Sequence, residues 1–508
     1  MGKKIAIVGG GASCIAFIES FINECNKEST DNLHFMVFEK LPEIGPGNAY
    51  QSDAKSNLLN TKAGYITALK DRPGDFFKWL DENQQKWKPE YPGLEIHEDT
   101  YAPRPLFGMY MQDTFNAVVN KAREADIKVD VIQDEVVNLK ENYEAETVIV
   151  STISGADYEV DKSVIACGTS LLSPDALINH KQIYHSPYPV DNITNNIPKD
   201  ADIAVIGARL SAIDAVIGMI ENGHKGKITL YSRSGLFPSV RGVQGRYKNQ
   251  YLALDFINRN YPDINITDLS DLFFKEMERY RAQNPDNMEE ELVFPPPPIT
   301  DFEKFLSYEI DMAQHKRGWQ AVLYDTNSLL ADVWGMLPDG EKDWFMNEML
   351  ASAMSMRISI PIENAIKMRE YVRSGQLQFV TGNSEIAKEG DQLFITTDDG
   401  QRVETGAVIY ATGSPRDANM CDSQLLRNLL QDGLVRQHPF GGIDVCEQYH
   451  NIVDNSGNFS NTIYAVGEIT NGKFLFTSAM DIIVRHAHKC ATVLHKHITH
   501  GIKRDLVA

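Results

Sequence analysis

A chain of 508 residues is long enough for about three structural units at roughly 150 residues each, which excludes a single small binding module. Hydrophobic residues make up 43% and charged residues 23%, with 35 Gly and 22 Pro near average usage, so wholesale disorder and collagen-like structure are excluded. Lys and Arg number 49 against 70 Asp and Glu, and the resulting net charge of −21 repels phosphate backbones and anionic lipid heads.

No nucleic-acid or membrane partner is therefore expected. The start, Lys3-Lys4 followed by an apolar run and Ala12-Ser13-Cys14, imitates a lipoprotein signal, but Gly9, Gly10 and Gly11 break the run. No stretch approaches the ~18 apolar residues that span a bilayer, and a cytoplasmic location is the expectation. The 6 cysteines form no C-x-x-C pair and the 13 histidines no H-E-x-x-H, so neither a metal site nor a redox dithiol is expected.

The first expected strand is Lys4 to Val8, followed by the turn Gly9-Gly10-Gly11, a helix near Ala12 to Asn23, and a second strand, His34 to Phe38, ending at Glu39. Gly9-x-Gly11 between strand and helix lets backbone N–H groups, those of Ala12 and Ser13 included, meet a pyrophosphate where side chains would obstruct it. Cys14 stands at the third glycine position. A carboxylate at Glu39 accepts both hydroxyls of an adenosine ribose and repels a 2′-phosphate, which favours FAD or NAD over NADP. A hairpin of Val131 to Leu139 with Thr147 to Thr152 then feeds a strand at Ser163 closed by Gly168.

The design repeats with Asp202 to Ile206, the turn Gly207-Ala208-Arg209, a helix from about Ser211 to Asn222 that opens at Leu210-Ser211, and Lys227 to Tyr231 ending at Ser232-Arg233. Arg209 occupies the second glycine position, where it either obstructs a pyrophosphate or supplies it a charge. A hydroxyl and a guanidinium at Ser232 and Arg233 suit a ribose 2′-phosphate, hence NADPH, with Arg241, Arg246 and Lys248 as further cations.

From about 250 to 375 the pattern turns helical, with Thr300-x-x-Glu303 as a capping box. This stretch includes Asn284-Pro285-Asp286-Asn287, the acidic Glu289-Glu290-Glu291 and Pro295 to Pro298, read as an extended connector. Leu377 to Val380 with Leu393 to Thr397 reads as a hairpin feeding Val408 and the turn Thr412-Gly413. A last strand from Thr462 reaches Gly467-Glu468, and Thr477-Ser478 is placed to cap a helix from about Ala479 to His495.

The fold class expected is α/β: two Rossmann-like dinucleotide-binding domains, the second inserted in the first, with a helical insertion. Residues 1–185 and 415–508 would form the outer domain, and residues 186–414 the inner one, the helical insertion covering about 250–375.

The residues also resemble a known group. Ile5 to Cys14, Glu43-Ile44-Gly45-Pro46-Gly47-x-Ala49-Tyr50, Asn57-Leu58-Leu59-Asn60, Pro73-Gly74-Asp75-Phe76, Pro103-Arg104, Gly207 to Asp214, Ser232-Arg233-x-Gly235, Ala411-Thr412-Gly413 and Gly467-Glu468 with Thr477-Ser478 are similar to two-dinucleotide-fold FAD/NAD(P)-binding proteins. Within these they resemble the flavin-dependent N-hydroxylating monooxygenases, in the branch of the nitrosuccinate-forming aspartate N-monooxygenases. The resemblance implies an outer FAD domain and an inner NAD(P)H domain. It implies N-hydroxylation of a small amino acid, L-aspartate among the candidates, by O2 through a flavin C4a-hydroperoxide. A reductase or dehydrogenase without oxygen insertion, and a non-catalytic flavin-binding sensor, stay open beside it.

At the flavin the resemblance implies contacts from Lys40, Asn57, Leu59, Arg104, Val136 and Gly168, with Glu468 where an Asp often meets the ribityl chain. Asn60 and Lys62 are the candidate donors to the chemistry, and Arg357, in the otherwise apolar Ser355 to Pro361, is the candidate anchor for a substrate carboxylate. Arg104 and Arg436 are weaker ones. A flavoprotein of this size often self-associates, and a homo-oligomer is left open.

Overall fold

The structure, a computed structural model, describes residues 2–26, 28, 32–286 and 290–501; Asn287 and Glu289 of the expected acidic loop lie outside the described residues. The chain divides into two units, one of Met1–Ser52, Thr61–Ser170 and Pro415–Ala508, the other of Asp53–Asn60 and Leu171–Ser414.

In the first unit, the strands Lys4–Val8 and His34–Phe38 are buried after their first residues, as apolar runs covered on both faces of a parallel sheet must be. They pair in parallel from Lys4 opposite His34 to Val8 opposite Phe38. The sheet runs in the order Asn451–Val453, Phe459–Ala465, Lys162–Ile165, Lys4–Val8, His34–Phe38, Lys128–Ile132. The helix Ala12–Cys25 buries Ile15, Phe17, Ile18, Phe21 and Ile22. It packs on the helix Met480–His500, whose buried Ala487, Cys490, Ala491 and Leu494 recur at helical spacing.

The expected strand Val131 to Leu139 is two strands. Val131 belongs to Lys128–Ile132 in the parallel sheet, and the hairpin proper pairs Val136–Asn142 with Thr147–Thr152 and then Asp157–Val160. Asp134 makes the break: its N–H donates to the Ile132 carbonyl at 3.0 Å, and its carboxylate accepts from the Glu135 N–H at 2.8 Å.

The second unit holds a five-stranded parallel sheet in the order Leu377–Thr381, Ile228–Ser232, Ile203–Ile206, Ala407–Tyr410, Ile183–Tyr184. Leu377 to Val380 therefore lies at a sheet edge and not in a hairpin with Leu393 to Thr397. That second segment is the centre of a separate antiparallel sheet with Ser384–Glu389 and Arg402–Thr405. The chain leaves the parallel sheet at Gly382, whose φ of +112° suits glycine. The next N–H, of Asn383, is held by the Asp398 carboxylate at 2.7 Å.

Leu393 and Ile395 of the small sheet pack with Ala204, Tyr231 and Val408 over one face of the parallel sheet. The helices Leu210–Glu221, Phe302–Met312 and Ile362–Arg373 bury their apolar residues with its strands in a second cluster. Each fully buried Leu, Ile or Phe contributes about 1.5–3 kcal/mol to such a core.

Between Leu254 and Arg373 the chain is largely helical, and Pro295 to Pro298 run outside any helix or strand. The helix Phe302–Met312 starts one residue later than the capping box placed it: Asp301 is its cap, accepting from the Lys304 N–H at 3.0 Å. Beneath these helices Arg317, 2% exposed, pairs with Glu309 at 2.6 Å and with Glu290. The Trp319 indole donates to Glu290 at 2.8 Å. Among the described residues no helix is long and apolar enough to cross a membrane.

Candidate dinucleotide sites

The first turn follows from the sequence at atomic scale. Gly9 has φ +106°, and a Cβ there would fall 2.4 Å from the Ala166 carbonyl oxygen. Its N–H donates to Phe38 at 2.8 Å, binding the turn to the second strand. Gly11 precedes the helix Ala12–Cys25 with no side chain to cap it, so the first-turn N–H groups, Ala12 and Ser13 among them, face outward at the positive helix end. Cys14 is buried at the third glycine position, and burial pushes its thiol far up, which makes it inert packing.

Glu39 is 7% exposed. One carboxylate oxygen accepts from the Gly10 N–H at 2.7 Å and the other from the Leu41 N–H at 2.9 Å. These bonds aim the carboxylate and leave each oxygen a free lone pair.

A second glycine pair closes on this turn. Gly45 donates to the Gly10 carbonyl at 2.9 Å, and a Cβ at Gly11 would lie 3.2 Å from the Gly47 Cα. Gly45 in the loop and Gly108 in the helix Arg104–Glu124 let the two pack closely: a Cβ would fall 2.7 Å from the Met111 carbonyl at Gly45 and 2.0 Å from the Tyr50 carbonyl at Gly108.

Gly467, at φ +86°, comes in beside the same helix end, its Cβ position 3.1 Å from the Ser13 hydroxyl. Next to it, Glu468 accepts from the Thr477 hydroxyl at 2.9 Å and from the Asn471 amide at 3.4 Å. Burial pushes the Glu468 carboxyl up, while Thr477, Asn471 and the charge of Arg416 act the other way. Asn471 Oδ1 is buried without a donor. Thr477 and Ser478 do not cap the final helix, which starts at Met480 with Ala479 as its N-cap and no capping side chain; the Thr477 hydroxyl is committed to Glu468 instead.

In the second unit Gly207 repeats Gly9: φ is +121°, a Cβ would fall 2.5 Å from the Ala411 carbonyl, and its N–H donates to Tyr231 at 2.9 Å. Arg209 is the N-cap of the helix Leu210–Glu221, extended at φ −104°, with no side-chain capping bond. Ser211 stands in its first turn. Ser232 is buried and its hydroxyl donates to the Leu236 carbonyl at 3.1 Å, whereas Arg233 is exposed. Thr412 is exposed, and Gly413 turns at φ +75° into open space. Arg241 lies 3.7 Å over the Tyr324 ring, and Lys248 faces Asp325 at 3.8 Å.

The other candidates are placed as follows. Gly168 turns at φ +71° with open space at its Cβ position. Val136 is buried, and Lys40 pairs with Glu135 at 3.0 Å. Arg104 opens the helix Arg104–Glu124, with its charge acting on Tyr50.

Asn57, 1% exposed, donates to Asp53 at 3.1 Å and keeps Oδ1 without a donor; Leu59 is buried and Asn60 part-buried. Lys62 pairs with Asp99 at 2.8 Å. Arg357 donates to the Leu323 carbonyl at 3.2 Å, the Thr326 hydroxyl at 3.0 Å and Asn327. Arg436 is committed to Asp444 at 2.6 Å. Sequence patterns did not single out Arg416 or Asn471, because each carries its meaning through contacts with distant residues. Among the described residues no group of three or more His, Cys, Asp or Glu could hold a metal ion.

Residues 6–170 match a family model described as FAD-NAD(P)-binding. The uncharacterized protein YdhS of Escherichia coli strain K12 is 24% identical over 262 residues, and this match spans 47% of either chain. Among solved structures, the ornithine N-hydroxylase KtzI of Kutzneria sp. 744 is similar over 98% of this chain and 100% of its own, at 14% identity and a TM-score of 0.57. The ornithine hydroxylase PvdA of Pseudomonas aeruginosa has the same coverage, at 15% identity and a TM-score of 0.56. The L-lysine 6-monooxygenase of Pseudomonas syringae also covers 98% of this chain and 100% of its own, at 13% and 0.55. Residues 6–170 thus carry the FAD-NAD(P)-binding pattern, and the chain shares the fold of these ornithine and lysine hydroxylating enzymes.

Proposed function

We propose that this chain is an FAD- and NADPH-dependent monooxygenase that N-hydroxylates a small amino acid or amine with O2. The observation that carries the reading is the pair of turns at Gly9 and Gly207, the same backbone device built twice in one chain of that fold. In this reading residues 1–185 and 415–508 take FAD and residues 186–414 take NADPH.

The residues present fit FAD. The turn Gly9-Gly10-Gly11 packs too closely on Ala166, Glu39 and Gly47 to take a Cβ without strain, the helix end behind it is uncapped, and Asn471 keeps a buried acceptor free. When bound, reduced flavin supplies the activation of oxygen. The chain's part is to hold and shield it. The Ala12 and Ser13 N–H groups take the pyrophosphate, Glu39 accepts from the ribose hydroxyls, and Glu468 with Asn471 accepts from the hydroxyl-bearing chain. Arg209 supplies charge to the NADPH pyrophosphate, and Arg233 to its 2′-phosphate. Asn60 and Lys62 are donors to the chemistry, and Arg357 anchors a substrate carboxylate.

L-Aspartate is the first substrate to try, on the resemblance of the sequence motifs. The solved relatives are described as acting on ornithine and lysine, so these amino acids are the controls. The test is to load the purified protein with FAD and follow NADPH oxidation, O2 uptake and hydroxylamine product with each amino acid. Product formation that depends on one amino acid supports the reading. NADPH oxidation with no hydroxylated product from any of them would make the chain a reductase, and FAD binding without reduction a sensor.

A further inference from the structure

Arg416 follows the Thr412-Gly413 turn at the point where the chain returns to the first unit. Its guanidinium donates to the Phe440 carbonyl at 2.9 Å and the Leu475 carbonyl at 3.2 Å, and its own carbonyl accepts from the Gly442 N–H at 2.7 Å. Arg416 and Asn471 close on one glycine: a Cβ at Gly441 would lie 2.7 Å from Asn471 Oδ1 and 3.0 Å from the Arg416 Cβ. At Gly442 a Cβ would fall 2.1 Å from the Ile469 carbonyl, which the Ile443 N–H engages at 2.8 Å. Leu475 sits at φ +62°, a region a leucine occupies only when its surroundings hold it there. The Arg416 guanidinium is therefore tied at Leu475 to the segment that carries Glu468, Asn471 and Thr477, and its carbonyl to the Gly441-Gly442 turn on which Ile469 of that segment packs.

The geometry points to Arg416 as a positioning residue of the flavin site: its guanidinium holds the 467–477 segment through the Leu475 carbonyl, and its positive charge acts on the Glu468 carboxylate. This rests on the reading of the first unit as the FAD site. The coupling is reciprocal, since each group's charge favours the charged form of the other while burial opposes both. Other titratable groups beside the segment are Cys421, His438 and Lys473. Burial and the Asp417 and Glu468 charges push the Cys421 thiol up, the His438 ring stands against Gly472, and Lys473 faces Asp444 at 3.7 Å. An ionised carboxylate accepts a hydroxyl more strongly than a protonated one. By favouring the ionised form against burial, the Arg416 charge thus strengthens the grip of Glu468 on the hydroxyl-bearing chain of FAD.

Two titrations of the full chain test this. The Glu468 carboxyl is followed by infrared difference spectroscopy, its band identified by loss in Glu468→Gln, and FAD affinity is followed by flavin fluorescence over the same pH range. Arg416→Gln should move the Glu468 protonation step to higher pH and weaken FAD binding about tenfold. Arg416→Lys, which keeps the charge, should leave the step near its wild-type position. In the Glu468→Gln background the Arg416 substitution should no longer change the pH profile of FAD binding.

A protonation step that stays put in Arg416→Gln would overturn the proposal. Should Arg416→Gln not fold, a step in Arg416→Lys displaced upward although the charge is kept would do the same. A wild-type chain that binds no FAD would sink the flavin reading and this role together, whereas wild-type binding with an unmoved step would sink this role alone.

Discussion

Glu39 shows how one side chain acts on a site through the backbone. Its two oxygens hold the Gly10 and Leu41 N–H groups in a buried setting, so Glu39→Ala leaves both donors without an acceptor. Each such donor costs about 1–3 kcal/mol, and denaturant unfolding should show a loss in that range or above it, together with weaker FAD binding. Glu39→Gln keeps one acceptor oxygen and should lose less. At Arg209 the expectation is that Arg209→Ala weakens NADP+ binding about tenfold, as loss of a charge-assisted contact would. Fluorescence titration reads this directly. Tighter binding in the variant would make the arginine an obstruction.

At the scale of elements, both strand–turn–helix repeats were legible because strand, glycine and helix are contiguous in sequence and each answers to a local rule. The pairing of Leu377 to Val380 was not. A short apolar run fits a parallel edge as well as a hairpin, and the choice is made by Gly382 and Asp398, which take the chain out of the sheet. The final helix shows the same limit: Thr477 reads as a cap from its position, but Glu468 is a better acceptor for its hydroxyl than a backbone turn is a donor partner.

The Arg317 cluster was likewise hidden, since its two carboxylates, Glu290 and Glu309, reach it from separate segments. Arg317→Met should destabilise the chain by about 3–5 kcal/mol, because two carboxylates stay buried without their cation. Adding Glu290→Gln and Glu309→Gln should restore part of that loss in chemical denaturation.

For the whole molecule, the response to acid follows from two histidines of the first unit. His450 and His486 are buried, their rings 5.8 Å apart with Phe474 beside both. Burial holds His450 well below the ordinary histidine range and lowers His486 to about 3. A histidine with a folded-state pKa below that of the unfolded chain stabilises the fold fully above the unfolded value of about 6.5 and loses that contribution as pH falls toward the folded value. Between pH 6.5 and 5 His486 should cost about 1.5–2 kcal/mol, and His450 adds a loss of the same sign. Thermal unfolding across this range should show the midpoint falling with pH, and His486→Phe should flatten the slope. A midpoint that holds steady down to pH 5 would show that these rings are hydrated or paired in solution.

The α/β class, the two glycine turns and Glu39 can be read from the chain alone, because each depends on residues within a few positions of one another or on spacing that secondary structure fixes. Tertiary structure alone decided that Gly45 and Gly47 close on the first turn, that Thr477 serves Glu468, and that Arg416 is tied to the same segment. Those contacts join residues 9 to 59 positions apart. No local propensity encodes them; they exist only once the sheets have brought the segments together, and burial then makes each unmatched donor or charge costly enough to fix its partner.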